Sequence, residues 1–407
     1  MNGTCIIIGA SHAGIQMAVG VRQEGWQGRI LLIGDEPSLP YHRPPLSKAY
    51  LKGESEVAII HPQASLDKYG IEFLPSTRVS RIDRQAHEVL LDNHQRLAYT
   101  KLALCTGARL RRLGIKGGEL AGVHYLRDLA DADRLRAELP GARTAVVIGA
   151  GYIGLETAAT LRQLGLEVSV LEAAPRILGR SVDASVSAFF EALHRTHGVT
   201  IRTGCQVSEL LGHERVEAVL CGDGTRYPAD LVVIGIGVQA NIELAKDVGL
   251  AIDDGILVDS HGRTSDADIV AAGDCTRFPS PHLRRMVRLE CLANASDQAR
   301  SAAATLCGHE KRHEALPWFW SDQYDTRLQI AGMVDEYECV VQRGDACAGS
   351  FSRFYLHDGV ILSALCVNRP KEFIASKRLI ATATRVDPLK LADETCDINA
   401  ALPAQPA

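Results

Sequence analysis

The sequence has no long apolar segment and little excess charge. Spanning a bilayer takes about 20 consecutive apolar residues, and no run in this chain of 407 residues approaches that length. Residues 1–10 already have the pattern of a strand that enters a glycine-rich loop, so we expect no cleavable signal, no membrane contact and a cytoplasmic location. The net charge of −5 argues against nucleic acid as a partner.

Closely spaced cysteines are also missing. The eleven cysteines include no C-x-x-C, and their wide, irregular spacing argues against a disulfide framework and against a metal site. Before residue 200 only Cys5 and Cys105 occur, both in apolar segments, which predicts two buried small hydrophobes.

Two glycine-rich loops stand out against these absences. GASHAG at 9–14 and GAGYIG at 149–154 each follow an apolar strand pattern and precede a helical one. In that context the first helical amides carry a partial positive charge and can bind a pyrophosphate. The pair predicts that a flavin dinucleotide and a nicotinamide dinucleotide meet in this protein.

An acid at the end of the next strand completes each fingerprint, because it can accept hydrogen bonds from an adenosine ribose. Asp35 and Glu36 follow the apolar run 30–34, and Glu172 follows the run 168–171. A third apolar run ends in Gly273 and Asp274, which predicts a further carboxylate at the ligand-binding end of a parallel sheet.

The chain after Trp318 changes character. Aromatic residues cluster between 318 and 324, and alternating patterns over 351–355 and 360–365 predict an antiparallel sheet. A chain of this length is expected to form two or three domains. We therefore predict an α/β protein with two Rossmann-like nucleotide-binding domains and a separate C-terminal α+β domain.

With these elements placed, the chain resembles the FAD-containing, NADH-dependent ferredoxin reductases that serve bacterial oxygenases. The most specific match is YHRPPLSKAYL at 41–51. It is followed in order by TGA at 106–108, YLR at 125–127, GAGYIGLE at 149–156, AGDC at 272–275 and PWFWSDQY at 317–324.

The resemblance implies a glutathione-reductase-like architecture in which the FAD domain is discontinuous. The expected segments are 1–110 for the first part of the FAD domain, 111–238 for the NAD domain, 239–316 for the second part of the FAD domain and 317–407 for the C-terminal domain.

The resemblance also implies site residues. The expected FAD-binding residues are Gly9, Ala13, Gly14, Asp35, Glu36, Arg43, Pro45, Lys48, Val79, Thr106, Gly107, Arg127, Asp274, Leu292 and Trp320. The expected NAD-binding residues are Gly149, Gly151, Tyr152, Ile153, Gly154, Glu172, Gly235 and Gly237. No metal is expected.

Lys48 and Glu156 are the expected catalytic residues. An ammonium beside the flavin stabilises the negative charge that hydride transfer brings, and a buried lysine needs an acid partner. Glu156 lies two residues beyond the third glycine of the second loop, which predicts a Lys48–Glu156 pair. Glu172 favours NADH, since its carboxylate repels a 2′-phosphate; Arg176 and Arg180 leave NADPH use open.

The predicted reaction is hydride transfer from NADH to FAD, followed by release of single electrons to a 2Fe-2S ferredoxin that supplies a cytochrome P450 or a ring-hydroxylating dioxygenase. Two alternatives stay open: a disulfide or peroxide reductase or NADH oxidase of the same fold, and a redox-sensing flavoprotein. A disulfide or peroxide reductase needs reactive cysteines soon after the first loop, and this chain has none there. Such enzymes also carry a catalytic His–Pro segment in the C-terminal domain, where this chain has only His357 after residue 317.

A basic stretch offers a candidate ferredoxin-docking face at Arg277, Arg284, Arg285 and Arg288, because such ferredoxins are usually acidic. An ordinary solvated surface is the alternative interpretation. The disulfide reductases form obligatory dimers in which a histidine of the C-terminal domain reaches across the interface. Because this chain lacks that histidine, we expect a monomer or a weak homodimer.

Overall fold

The computed structural model describes residues 2–333 and 336–402. Its first segment alternates strands and helices and continues into a small meander. The elements are β1 (Thr4–Ile8), α1 (His12–Gln23), β2 (Arg29–Ile33), α2 (Ala49–Lys52), α3 (Gln63–Tyr69), β3 (Ile71–Leu74), β4 (Val79–Asp83), β5 (Glu88–Leu91), β6 (Arg96–Ala98), β7 (Lys101–Leu104) and β8 (Ala108–Leu110). One 3-10 turn, Pro44–Ser47, precedes α2.

The second segment repeats this plan. Its elements are β9 (Val123–Tyr125), α4 (Leu129–Glu138), β10 (Thr144–Ile148), α5 (Tyr152–Gln163), β11 (Glu167–Leu171), α6 (Ala184–Thr196), β12 (Thr200–Arg202), β13 (Val207–Gly212), β14 (Val216–Cys221), β15 (Arg226–Pro228), β16 (Leu231–Ile234) and β17 (Val238–Ala240). A 3-10 turn, Leu139–Gly141, follows α4.

The remaining chain returns to the first domain and then forms the C-terminal one. Its elements are α7 (Glu243–Asp247), β18 (Ile256–Leu257), β19 (Ile269–Ala271), β20 (Thr276–Ser280), β21 (Arg285–Val287), α8 (Leu292–Leu306), β22 (Trp318–Gln323), β23 (Thr326–Gly332), β24 (Cys339–Asp345), β25 (Ser350–His357), β26 (Val360–Val367), α9 (Pro370–Ala381) and α10 (Pro388–Ala392). A last 3-10 turn spans Ile398–Ala400.

Two five-stranded parallel sheets form the nucleotide-binding domains. The first has the strand order β19-β7-β1-β2-β3, and the second has the order β12-β11-β10-β16-β9. The loop-bearing strands β1 and β10 are central in each sheet. Their residues are largely buried because helices cover one face of each sheet and a three-stranded antiparallel sheet, β4-β5-β6 or β13-β14-β15, covers the other. The predicted α/β fold class is confirmed.

The chain crosses between these two domains twice, at adjacent positions. On the way out it forms β8, and on the way back it forms β17; the two strands pair antiparallel, with Arg109 opposite Gln239. The ribbon coincides with the boundaries that the sequence predicts near 110 and 238, although the exact limits stay a prediction.

The C-terminal domain is a five-stranded antiparallel sheet with the order β22-β23-β26-β25-β24. Side chains alternate along β25: Phe351 and Tyr355 join the hydrophobic core of the second nucleotide domain, whereas Phe354 and Leu356 pack in a separate core with α9. One face of this sheet is therefore attached to the second domain.

Among the described residues, no helix has the length and apolar character that crossing a membrane requires. All eleven cysteines lie within the described ranges and none forms a disulfide. Cys5 and Cys105 are buried, as predicted.

Candidate active site

Both glycine-rich loops open into one cleft of about 2720 Å³. The loops follow β1 and β10 at the carboxyl ends of the two parallel sheets, where α/β folds bind ligands. The walls come from both nucleotide domains and from the C-terminal domain, including Trp320. Two nucleotides bound on these loops would therefore share one space.

The first loop has the geometry of a phosphate-binding turn. Gly9 has a φ of +106°, and a Cβ there would lie 2.1 Å from the carbonyl oxygen of Cys105. A Cβ at Gly14 would lie 1.7 Å from the carbonyl oxygen of Gly9, so only glycine lets α1 pack this closely on β1. No side chain caps the N-terminus of α1, which leaves its amides available to an anion.

The second loop repeats this geometry. Gly149 has a φ of +100°, and a Cβ there would lie 2.5 Å from the carbonyl oxygen of Gly235; at Gly154 it would lie 2.1 Å from the carbonyl oxygen of Gly149. The middle glycine, Gly151, has open space around it. The same freedom explains why Ser11 can replace the middle glycine of the first loop.

The first pair of acids differs in how firmly it is held. The side chain of Asp35 is 65% exposed and forms a long ion pair with Arg78, whereas that of Glu36 is 26% exposed. Glu36 accepts hydrogen bonds from the Tyr41 hydroxyl and from the Arg43 guanidinium. Asp35 thus stays available at the cleft wall for a ribose, while Glu36 is engaged by the 41–51 segment.

Glu172 braces the second loop. Its carboxylate accepts hydrogen bonds from the amides of Ala150 at 2.6 Å and Ala174 at 2.8 Å. The sequence predicts this acid only as a ribose acceptor, and the structure adds a second task. The remaining lone pairs of a carboxylate leave room for both.

Arg43 and Arg127 connect the flavin-side loop to the rest of the cleft. Arg43 donates to the Ser11 hydroxyl at 3.1 Å and to the carbonyl oxygen of Arg127 at 2.8 Å. Arg127 in turn donates to Asp274 at 3.3 Å. These contacts bring three separate sequence motifs to one wall.

Most of the other predicted residues also line the cleft. These are Gly9, Ala13, Val79, Thr106, Gly107, Leu292, Gly149, Gly151, Tyr152, Ile153, Gly154, Gly235 and Gly237. Gly14 lies behind the loop for the packing reason given above. Pro45, in the 3-10 turn Pro44–Ser47, does not line the cleft. Its carbonyl oxygen accepts a hydrogen bond from the amide of Lys48 and so orients that residue.

Lys48 and Glu156 form the predicted pair. Lys48 Nζ lies 2.5 Å from Glu156 Oε2, and the two side chains are 20% and 3% exposed. Glu156 also accepts from the Ser47 hydroxyl at 2.8 Å and from the Ser321 hydroxyl at 2.7 Å. Both residues of the pair line the cleft.

Sequence reasoning missed Ser47 and Ser321. Both stand inside quoted motifs, yet serines are common, and nothing in the local pattern shows that they meet Glu156 from 109 and 165 positions away. It also missed the contact of His12 with His42, whose ring nitrogens lie 3.3 Å apart at the mouth of the first loop. Burial and the nearby cations lower the pKa of His12 to about 4.

Burial disfavours the thiolate form of two cysteines at the cleft. Cys105, Cys205 and Cys291 line it among the described residues. Burial raises the pKa of Cys105 well above its usual value and that of Cys291 to about 11. A reactive thiolate is not favoured at either position.

The fold and the site define a class: an oxidoreductase that holds a flavin and a nicotinamide dinucleotide side by side, in a cleft where burial disfavours a thiolate at Cys105 and Cys291. Residues 3–299 match the family model of pyridine nucleotide-disulphide oxidoreductases, and residues 318–402 match that of the reductase C-terminal domain. The chain belongs to this family.

Similar proteins narrow the class. The chain is 43% identical to putidaredoxin reductase CamA of Pseudomonas putida, with 100% of this chain and 98% of that protein covered. It is 41% identical to the anthranilate 1,2-dioxygenase system ferredoxin–NAD(+) reductase component of Burkholderia cepacia, with 97% and 98% covered. The crystal structure of the covalent putidaredoxin reductase–putidaredoxin complex matches with a TM-score of 0.93 at 43% identity, with 97% of this chain and 96% of that chain covered.

These similarities confirm the resemblance that the sequence motifs indicate. The chain is an oxidoreductase of the ferredoxin–NAD(P)+ reductase type with FAD and NAD(P)H as its cofactors. The roles of individual site residues stay predictions.

Proposed function

We propose that this protein transfers electrons from NADH to a 2Fe-2S ferredoxin, which supplies a cytochrome P450 or a ring-hydroxylating dioxygenase. The observation that carries the proposal is the shared cleft: two phosphate loops, the Lys48–Glu156 pair and Trp320 all line it. The names of the relatives support it, since they include reductases of a ferredoxin-type carrier and of a dioxygenase system.

The chemistry of hydride acceptance and single-electron release belongs to bound FAD, with NADH as the hydride donor. The chain supplies orientation and charge. Its two loops fix both pyrophosphates, and the Lys48 ammonium places a positive charge where negative charge develops. Glu156 holds that ammonium in position. No side chain is required to act as a general acid or base.

The experiment that tests the proposal separates it from its two alternatives. Anaerobic NADH should bleach the flavin absorbance within seconds, and reduction of cytochrome c should depend on an added 2Fe-2S ferredoxin. A disulfide or peroxide reductase would instead oxidise NADH with those substrates and no ferredoxin. A sensing flavoprotein would show slow reduction and no ferredoxin dependence.

We propose NADH as the preferred donor. Glu172 stands at the cleft wall where a 2′-phosphate would meet its negative charge. Arg176, which the sequence suggests as a phosphate ligand, donates to the carbonyl oxygens of Val182 at 2.6 Å and Gly179 at 2.8 Å, so its guanidinium is engaged. Arg180 lines the cleft near Gly237, and we therefore expect a low level of NADPH use.

We also propose that the ferredoxin docks on the β20–β21 hairpin. Of its arginines, Arg277 is 2.5 Å from Asp253, and Arg288 contacts Asp254 at 3.3 Å and also Glu290. Arg284 and Arg285 are exposed on the same hairpin, and the chain then enters the cleft wall at Arg288, so we assign docking to this exposed basic tip next to the cleft.

Charge reversal tests the docking assignment. Arg284→Glu with Arg285→Glu should raise the KM for ferredoxin about tenfold at low salt and flatten its salt dependence, because steering attraction is lost. Arg226→Glu, on the exposed edge of the β13-β14-β15 meander, is the matched control and should leave that KM unchanged. An unaltered KM in the double variant would remove the assignment.

The remaining proposals concern the state of the protein in the cell. We propose a cytoplasmic monomer or weak homodimer. Sedimentation equilibrium at micromolar concentration tests the second point, and a tight dimer would contradict it.

A further inference from the structure

A chain of buried polar side chains runs from the cleft into the interface between the second and third domains. It begins at Glu156 on α5, continues through Ser321 and Gln323 on β22, and reaches His194 on α6. Glu156 is 3% exposed, and Ser321, Gln323 and His194 are each fully buried. Tyr324 closes the chain at the far end.

Four hydrogen bonds link these residues. Ser321 Oγ lies 2.7 Å from Glu156 Oε1, and Gln323 Nε2 lies 3.2 Å from Ser321 Oγ. His194 Nε2 lies 2.8 Å from Gln323 Oε1, and the Tyr324 hydroxyl lies 3.3 Å from His194 Nδ1. The stacked ring of His197 covers Tyr324, with ring centroids 3.6 Å apart.

The direction of every bond follows from the first one. An ionised carboxylate only accepts, so the Ser321 hydroxyl must donate to Glu156, and its oxygen is then free to accept from the amide nitrogen of Gln323. The amide oxygen of Gln323 consequently faces His194, which must carry its proton on Nε2 and accept from Tyr324 on Nδ1. Burial lowers the pKa of His194 to about 4, which favours this neutral form.

All four donors therefore point toward Glu156. Aligned hydrogen bonds polarise one another in a low-dielectric interior, so the far links strengthen the donor that Glu156 receives. On its other oxygen Glu156 accepts from Ser47 and Lys48. Oε1 of Glu156 is thus held by residues that do not line the cleft, whereas Oε2 is held by residues that do.

We propose that Ser321, Gln323 and His194 are positioning residues for the reaction: they fix the Glu156 carboxylate and, through it, the Lys48 ammonium beside the flavin. This inference rests on the proposed role of Lys48 in FAD reduction. It gives the C-terminal domain a part in the NADH half-reaction, in addition to closing the cleft with Trp320.

Ser321→Ala tests the first link. Loss of a hydrogen bond to a charged group should lower the limiting rate of FAD reduction by NADH about tenfold in anaerobic stopped flow. It should also move the midpoint potential of the bound flavin to a more negative value, because Glu156 is then less well neutralised. A wild-type rate together with a wild-type potential would overturn the proposal.

A double-variant cycle tests whether Gln323 acts through Ser321. Gln323→Met keeps the side-chain length and should lower the rate about threefold, since only the polarising contribution is lost. Combined with Ser321→Ala it should cost no more than Ser321→Ala alone. If the two rate reductions multiply in the double variant, the substitutions act independently, and the proposal that Gln323 acts through Ser321 would be overturned.

His194 offers a rescue test that does not depend on a single fold-sensitive variant. His194→Gln retains a donor at the Nε2 position, whereas His194→Leu does not. We expect the Gln variant to restore the flavin potential and the Leu variant to resemble Gln323→Met. Equal potentials in the Leu variant and the wild type would contradict a role for this residue.

Ser352→Ala is the matched control, because Ser352 is a fully buried serine of the same sheet that donates to another buried carboxylate, Glu372, away from the cleft. It should alter stability without altering the flavin potential. These measurements contain no ferredoxin. A result that contradicts the positioning role can therefore be distinguished from a result that contradicts the proposed ferredoxin partner.

Discussion

In the first nucleotide domain the loop unit consists of β1, α1 and β2; in the second it consists of β10, α5 and β11. Both helices have twelve residues, neither has a side-chain N-cap, and each is followed by a glycine with φ near +95°, namely Gly25 and Gly165. Their neighbours differ. α1 packs under α8, close enough that a Cβ on Gly20 would lie 2.9 Å from that of Ala303, whereas α5 faces the 44–47 turn and β22.

The difference teaches that local geometry makes a nucleotide site, while neighbours decide what the site does. α1 packs on the alanines of α8 and contributes no side chain to the Lys48–Glu156 pair. α5 places Glu156 against Lys48 and Ser321, and Thr160 donates to the carbonyl oxygen of Ser47 at 2.8 Å. The second unit therefore carries one member of the proposed catalytic pair, whereas the first unit carries none.

We expect the largest effects from adding a methyl group to the first glycine of either glycine-rich loop. Gly9→Ala should abolish FAD retention and destabilise the fold by about 3 kcal/mol, because the Cβ meets backbone in a left-handed conformation. Gly149→Ala should leave the flavin bound but prevent its reduction by NADH. Flavin absorbance per protein and anaerobic reduction rates measure both.

Gly141→Ala is the control for the pair, since Gly141 lies outside the cleft and its Cβ would meet nothing. Full flavin content in Gly9→Ala would contradict the assignment of the first loop to FAD.

The catalytic asymmetry is tested by Lys48→Ala. Losing the ammonium should lower the limiting rate of flavin reduction about 100-fold while FAD content stays normal. Lys52→Ala, which removes a lysine at the end of α2 that pairs with the exposed Glu54, should not change the rate. A wild-type rate in Lys48→Ala would end the proposed role.

The difference between the two acids is sharpened by Glu172→Ala. It should lower the ratio of kcat/KM for NADH over NADPH about tenfold, because one charge-assisted contact to the ribose and one repulsion of phosphate are lost together. Glu167→Ala, an exposed acid at the start of the same strand, is the control. If wild-type enzyme already prefers NADPH, our interpretation of Glu172 is wrong.

The smallest effect concerns the attachment of the second unit to the C-terminal sheet. Asp183 accepts from Arg353 at 2.8 Å and from the Tyr355 hydroxyl at 2.7 Å. Although burial opposes it, the pKa of Asp183 is lowered by its hydrogen bonds with Val186, Tyr355 and Arg353. Asp183→Asn should cost about 1 kcal/mol of unfolding free energy at pH 7.

The pH dependence of that cost has a definite sign. A carboxyl whose pKa is lowered by folding stabilises the protein above its unfolded pKa, and the contribution disappears as pH falls through the folded value. Urea unfolding at pH 7 and near pH 3 should therefore show a difference between wild type and variant that shrinks in acid. A constant difference would contradict it; exposed Asp92→Asn serves as the control.

Much of this architecture could be predicted because its signals are local. A five-residue apolar strand, a glycine whose Cβ would strike backbone and a helix start are written within 15 residues of one another, as in 4–15 and 144–155. The alternation in β25 likewise predicts a two-sided sheet. Contacts over long separations have no such signal, so Ser47 and Ser321 were missed although both stood in quoted motifs.

The docking face shows the same limit in charge. Four arginines in one stretch predict a basic surface, yet the fold brings Asp253 onto Arg277, and Asp254 and Glu290 onto Arg288. A charge counted along the sequence is not a charge presented to a partner.

The sequence by itself determined that two nucleotides bind, that no cysteine pair follows the first loop, and that an acidic residue follows the strand after each loop helix. These features could be read from the sequence because backbone sterics and residue chemistry act over a few positions. Tertiary structure alone decided that Glu172 also braces its own loop, that Glu36 is engaged while Asp35 stays exposed, and that Glu156 receives donors from two other domains. Those outcomes depend on which buried surfaces pack together, and packing is decided by the whole chain.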